Sequence, residues 1–306
     1  MIQKATGKIT DSVYASGHYI YPGYLIRGEK KNLMVEAGFN LLGPAYLEGI
    51  QSYFGHDMVP DYCFATQSHY DHLGALPYLK AAMPKMAIGA SPKVARLLQK
   101  ESVISKMNFF SAQLGEYFKE EIPVTYENTD IRPFEVDLEL AQGDVIDFGN
   151  FHCRVYETPG HTKDHLSFWI PELSLLFPGE ALGNPAGDGN EVKVEFVSSY
   201  TDYLNSIDQL RVLNPKIIAM SHMYVYTGRD APLFMERSRK STIQYRQLIE
   251  AYLDEVHGDL DAACDLMAKK EYDEKGSILM ERNAYVANLR AQVKAVYRVS
   301  SECSVF

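Results

Sequence analysis

The seven residues Thr66-Gln67-Ser68-His69-Tyr70-Asp71-His72 constrain this chain more than any other stretch. They crowd two imidazoles and a carboxylate into four positions, a donor set suited to a hard or borderline divalent ion. On a regular strand or helix the adjacent Asp71 and His72 would point apart, so the cluster is expected on a loop. A short cluster does not complete a metal site, and the fold must bring further donors to this loop from distant sequence. Two positions before His69, where another histidine would complete the pattern, stands Gln67.

The remaining donors sit at similar places. Thr158-Pro159-Gly160-His161-Thr162 follows a stretch in which Phe151, Cys153 and Val155 alternate with His152, Arg154 and Tyr156, the period of a half-buried strand. Proline and glycine end that strand and present His161 from a tight turn. Glu180 closes a second predicted strand, Ser174 to Glu180, after another Pro-Gly break. His222 follows a third apolar run, Ile217 to Ser221. Each candidate ligand therefore lies just past an apolar strand, where loops carry chemistry on a rigid scaffold. His165, four residues after His161, reads either as a partner that orients a ligand or as a histidine packed beneath the loop. Packing is favoured, and Asp164 is expected to be a solvated loop charge.

In this order the blocks resemble the metallo-β-lactamase superfamily. The family's loop T-H-x-H-x-D-H-x-G is similar to Thr66-Gln67-Ser68-His69-Tyr70-Asp71-His72-Leu73-Gly74. Gly143 to Gly149 and Thr158 to Thr162 resemble its third block. Phe177-Pro178-Gly179-Glu180 resembles F-x-G-D with Glu in place of Asp, and His222 matches the last ligand with Ser221 where glycine is more usual. The resemblance spans roughly residues 10 to 225, and five ordered blocks are far more specific than one. Within the superfamily the chain looks like glyoxalase II and acyl-CoA thioesterase members. Tyr70 to Leu79 is especially similar to the bacterial quinolone-signal thioesterase subgroup.

The resemblance implies an α/β fold, a four-layer αββα sandwich with a C-terminal helical extension that helps form the substrate entrance. It implies one or two divalent ions, zinc or iron, with manganese also admitted. The first position would take His69, His161 and Glu180, with Gln67 in place of a histidine as a weak donor. The second would take Asp71, His72, His222 and the shared Glu180. Such paired ions lie roughly 3.5–4 Å apart. Asp71 would be the catalytic residue, orienting a metal-activated water for attack on a small-molecule thioester of acyl-CoA type. Gln67 and Glu180 also motivate a low-activity regulatory or ligand-binding member of the fold. An iron-dependent sulfur dioxygenase-like enzyme is a third reading, and β-lactam hydrolysis is the weakest.

At 306 residues the chain can bury a large core. The expected organisation is a metallo-β-lactamase-like domain over 1–230 and a helical segment over 231–306 near the cleft. A net charge of −10 argues against a nucleic-acid surface, which needs clustered Lys and Arg. Cys63, Cys153, Cys264 and Cys303 have no paired spacing and read as reduced thiols. With no apolar leader and no run of membrane-spanning length, a cytoplasmic protein without membrane contact is expected, its oligomeric state left open with a homodimer admitted. Ser91-Pro92 reads as an N-cap and first helical residue. Residues 101 to 121 continue in a helical register whose aromatics Phe109, Phe110, Tyr117 and Phe118 read as core before substrate wall. The tail carries apolar stripes at Tyr245, Leu248, Ile249, Tyr252 and Leu253, at Leu260, Ala263, Cys264 and Met267, and at Val286, Leu289, Val293 and Val296.

Overall fold

A computed structural model describes residues 1–56, 58–120, 130–278 and 280–303, with side chains to residue 299. The expected helical position 121 and the Cys303 side chain lie outside the described residues. In chain order the first strands are β1 (Ile2–Lys4), β2 (Gly7–Lys8), β3 (Val13–His18), β4 (Tyr21–Ile26) and β5 (Leu33–Val35). Helix α1 (Gly43–Phe54), β6 (Tyr62–Phe64), α2 (Tyr70–Leu73), α3 (Leu76–Ala82) and β7 (Ala87–Ala90) follow. Then come α4 (Pro92–Leu97), α5 (Glu101–Tyr117), β8 (Leu138–Glu139), β9 (Val145–Asp147), β10 (His152–Glu157), β11 (Leu166–Ile170) and β12 (Leu175–Phe177). The chain continues through β13 (Asn184–Ala186), β14 (Glu191–Lys193), α6 (Tyr200–Arg211), β15 (Ile217–Ala219) and β16 (Tyr224–Thr227). It ends with α7 (Asp230–Glu255), α8 (Leu260–Met267) and α9 (Arg282–Cys303).

These elements form two compact units. The first comprises Met1–Glu157, Asp164–Gly179 and Pro215–Ala231. It holds two seven-stranded sheets, ordered β2-β3-β4-β5-β6-β7-β8 and β1-β16-β15-β12-β11-β10-β9. In the first sheet β5, β6, β7 and β8 are parallel neighbours, and in the second β12 pairs in parallel with β15. The strand pleat explains the layering, because alternate residues face opposite sides. Tyr24, Ile26, Leu33, Val35 and Phe64 face one core, shared with Cys153, Val155, Phe168, Phe177 and Val225 of the other sheet. Leu25, Met34, Cys63 and Ile88 face the other way, onto Tyr46, Ile50 and Phe54 of α1 and onto α3, α4 and α5. Central strands buried on both faces read as continuous apolar runs, as Leu33-Met34-Val35 does. Three of the four expected layers are thus within this unit.

Ser91 caps α4 as expected, its hydroxyl accepting from the Val94 amide at 3.3 Å. In β10 the expected alternation holds, with Cys153 and Val155 buried and His152 and Arg154 exposed. No described helix is long and apolar enough to cross a membrane.

The second unit comprises Thr158–Lys163, Glu180–Asn214 and the chain from Pro232 onward. Helix α7 begins at Asp230, and the tail helices fall within this unit. They cluster with α6, the β13–β14 hairpin and the turn carrying His161. A long apolar stripe needs a partner surface, and Ile249 and Leu253 of α7, Met267 of α8 and Leu289 and Val293 of α9 are all buried, with α9 packing against α6 and α8. Gly258 ends α7 at φ +83°, its amide donating to the Leu253 carbonyl at 2.8 Å.

Phe168 is fully buried between the sheets with its ring 5.4 Å from that of Phe64. Phe168→Ala is expected to cost about 3–5 kcal/mol in urea unfolding. Val212→Ser, at a position 84% exposed, is expected to change stability by less than about 0.5 kcal/mol.

Candidate metal centre

Two strand ends of the first unit, those of β6 and β15, bring Asp71, His72 and His222 together. The loop after β6 carries His69 at the N-cap of α2, so Asp71 and His72 lie within a single helical turn and not on the open loop expected. Adjacent residues on a helical turn diverge by about 100°, less than across a strand, and at the first turn both side chains can reach one point. One ligand atom from each of Asp71, His72 and His222 lies within 4.8 Å of the others. His222 Nε2 is 3.9 Å from Asp71 Oδ2, and the rings of His72 and His222 stand nearly perpendicular, 5.2 Å apart. His72 and His222 are buried, while the Asp71 side chain keeps 20% of its surface exposed.

Beneath this cluster lies Glu36, which sequence reasoning missed. It follows β5 directly, at a φ of +67° unusual for a residue with a side chain, and it is 2% exposed. Its amide donates to the Phe64 carbonyl at 2.9 Å, continuing the β5–β6 ladder by one residue. Its Oε1 accepts from the hydroxyls of Thr66 at 2.6 Å and Ser221 at 2.9 Å, and faces His72 Nδ1 at 3.2 Å. Its Oε2 meets no donor among the described residues. Left-handed backbone at such a residue costs on the order of 1–3 kcal/mol and persists only where the surroundings fix it. The signal in the sequence was an acid placed straight after the buried run Leu33-Met34-Val35. Burial, reinforced by the Glu36 carboxylate, pushes the Tyr24 phenol well above its ordinary range, and its hydroxyl donates to the Met220 carbonyl at 2.6 Å.

The flanking residues divide. Gln67 is fully buried. His165 is buried and packed against Gly179, where a Cβ would come within 2.4 Å of His165 Nε2 and where φ is +58°. Asp164 departs from the expected solvated charge: it is 6% exposed, and its Oδ2 accepts from the Ser68 amide at 2.8 Å, anchoring the ligand loop. Of the α5 aromatics, Phe118 is buried and meets Tyr21 edge-on, and Tyr21 in turn meets the His222 ring edge-on at 5.3 Å. Phe110 stacks on Tyr70 of the ligand turn at 6.1 Å, while Phe109 and Tyr117 are exposed. The expectation of a core role therefore holds for Phe118 alone.

In the second unit His161 and Glu180 form a buried pair, with Nε2 2.5 Å from Oε2. His161 Nδ1 donates to the Glu195 carbonyl, and the Tyr203 hydroxyl donates to the Glu180 carbonyl at 3.0 Å. Burial works against a charged His161 ring, yet the Glu180 carboxylate together with Glu195 outweighs it and holds the imidazole above its usual range. Gly160 is obligatory in this turn, because at φ +131° a Cβ would come within 2.3 Å of the Tyr203 backbone.

The donor chemistry fits a divalent ion. In His72, His161 and His222 the Nδ1 atom faces an oxygen acceptor, respectively Glu36, the Glu195 carbonyl and the Ile20 carbonyl at 2.9 Å. Such contacts fix the ring and its tautomer and leave Nε2 as the nitrogen that would face an ion. Glu36→Gln keeps the shape but removes the charge beside His72. It is expected to lower zinc or cobalt affinity roughly 10- to 100-fold by equilibrium dialysis. Unchanged affinity would show that Glu36 does not orient the ligand.

A metallo-beta-lactamase fold-containing protein of Sulfurisphaera tokodaii is 24% identical over 229 residues, covering 74% of this chain and 79% of that protein. A hydroxyacylglutathione hydrolase of Rhodopseudomonas palustris is 42% identical over 79 residues, which are 26% of this chain and only 29% of that enzyme. The solved structure of a metallo-beta-lactamase family protein from Thermus thermophilus aligns over 96% of this chain and 95% of that one, with a TM-score of 0.64 at 15% identity. The model of the metallo-beta-lactamase superfamily matches residues 22–222, a span running from β4 through the cluster to His222, and the chain belongs to that superfamily.

Proposed function

We propose that this protein is a metal-dependent hydrolase acting on a thioester of acyl-CoA type. The observation that carries the reading is the Asp71–His72–His222 cluster, backed by Glu36 and partly open to solvent at Asp71. The relatedness to hydroxyacylglutathione hydrolases supports a thioester as the bond attacked. A divalent ion, when bound, supplies a Lewis acid and lowers the pKa of a bound water toward about 7.

The chain's own residues do the rest. His72 and His222 would hold the ion, their rings fixed through Nδ1. Asp71 contributes a carboxylate oxygen and, being the most exposed of the three, orients the attacking water by accepting its hydrogen bond. A thiolate leaves without needing a proton, so the mechanism asks for no separate general acid. Following the family's ligand order, we assign His69, His161 and Glu180 to the other metal position. There Gln67 offers only a neutral amide oxygen, a poor donor to zinc and a better one to harder ions. The two positions are therefore unequal, with the Asp71–His72–His222 position the tighter. The acyl group and the native metal are matters for a substrate and metal screen.

Two outcomes test the reading. Asp71→Ala is expected to abolish hydrolysis across a thioester panel, by at least about a thousandfold, while circular dichroism shows the fold retained. A chelator is expected to remove the activity and zinc, iron or manganese to restore it. Undiminished turnover in Asp71→Ala would refute the assignment. No turnover by the metal-loaded protein on any ester or thioester would favour a regulatory, ligand-binding role, which the buried Gln67 supports.

A further inference from the structure

The apolar face of α9 contains one residue that does not belong to a hydrophobic stripe. Tyr285, Leu289, Val293 and Val296 are buried along it, and so is Gln292, at 3% exposure. A buried amide needs partners, and Gln292 has two. Its Nε2 donates to the Val194 carbonyl at 2.8 Å, and its Oε1 accepts from the Tyr245 hydroxyl of α7 at 3.1 Å. One residue further, the Glu195 side chain is 1% exposed. Its carboxylate meets Lys193 Nζ at 2.7 Å and Asn288 Nδ2, also on α9, at 3.4 Å.

What these contacts hold in place is the carbonyl next door. The Glu195 carbonyl accepts from His161 Nδ1, and the following residues brace the His161 turn itself. The amides of Val197, Ser198 and Ser199 converge on the Gly160 carbonyl at 2.9–3.1 Å, and the Ser198 amide also reaches the His161 carbonyl at 3.0 Å. The segment 194–199 is thus gripped by α9 at one end and grips His161 at the other.

We propose that α9 positions His161, with Gln292 and Asn288 as positioning residues acting through the Val194–Glu195 backbone. The proposal rests on the reading of His161 as a metal ligand for its consequence, but not for its geometry. Holding the Glu195 carbonyl fixes the His161 tautomer with the proton on Nδ1 and directs Nε2 toward Glu180. Occupancy of the metal position that includes His161 is then coupled to the docking of the C-terminal helix, and the position made of Asp71, His72 and His222 is not.

The test uses the full chain. In the metal-free protein, proton–nitrogen imidazole spectra report the His161 Nδ1–H resonance, assigned by its loss in His161→Ala. Gln292→Glu keeps an acceptor for Tyr245 and removes the donor to Val194. It is expected to shift that resonance or broaden it through solvent exchange, and Asn288→Ala to do so to a smaller degree. In cobalt(II) titrations of the same variants, one of two binding steps is expected to weaken roughly 10- to 100-fold, with the other unchanged. A His161 resonance identical to wild type in both variants would overturn the inference, whatever the metal does. If the resonance moves but His161→Ala leaves cobalt binding intact, positioning stands and the ligand assignment of His161 falls. Should Gln292→Glu not fold, Asn288→Ala, at a half-buried site, carries the same reading.

Discussion

A buried carboxylate with more bonds to make than one loop can offer holds the centre of this molecule together. Glu36 draws the Thr66 hydroxyl from the loop after β6, the His72 ring from α2 and the Ser221 hydroxyl from the loop after β15. Removing such a group from water is costly unless it is hydrogen-bonded, and a charge-assisted bond is roughly twice as strong as a neutral one. The backbone strain at Glu36 is therefore tolerable because the residue ties three strand ends to one point. Its Oε1 faces these three groups, and the ring it meets is a metal ligand in the proposed chemistry.

Strand direction makes that convergence possible. β5 and β6 are parallel, so Glu36 and the His69–His72 loop leave the sheet at the same edge. β12 and β15 are parallel as well, so Glu180 and His222 follow strands that run the same way. Ligand groups past the carboxyl ends of parallel strands are held by a scaffold buried on both faces, here by apolar runs such as Leu33-Met34-Val35 and Leu175-Leu176-Phe177. The loops can then carry polar chemistry without having to stabilise themselves.

Much of this was legible in the sequence for a simple reason. Metal ligands are a small set of residue types, and Pro-Gly breaks mark where strands release them, so His161, Glu180 and His222 stood out beside the 66–72 cluster. Ser91 and the tail stripes were legible because capping and helical periodicity are local. Glu36 was not, because a lone acid after an apolar run looks like the first solvated residue of a loop, and only the fold shows that it is covered. Asp164 misled in the same way, since nothing local announces that the Ser68 amide will reach it. The helical turn at Tyr70–Leu73 is not legible because four residues are too few to carry a helical period. The grouping of the tail with residues 180–214 depends on contacts distant in sequence, which no stripe specifies.

The most direct measurement is the divalent-metal content of the protein purified without added metal or chelator, wild type beside His222→Ala. A bound divalent ion in the wild type that the variant loses, at equal folded fraction, is what the account predicts. A wild type that takes up no ion even after reconstitution, or a variant that binds as well as wild type, would contradict it.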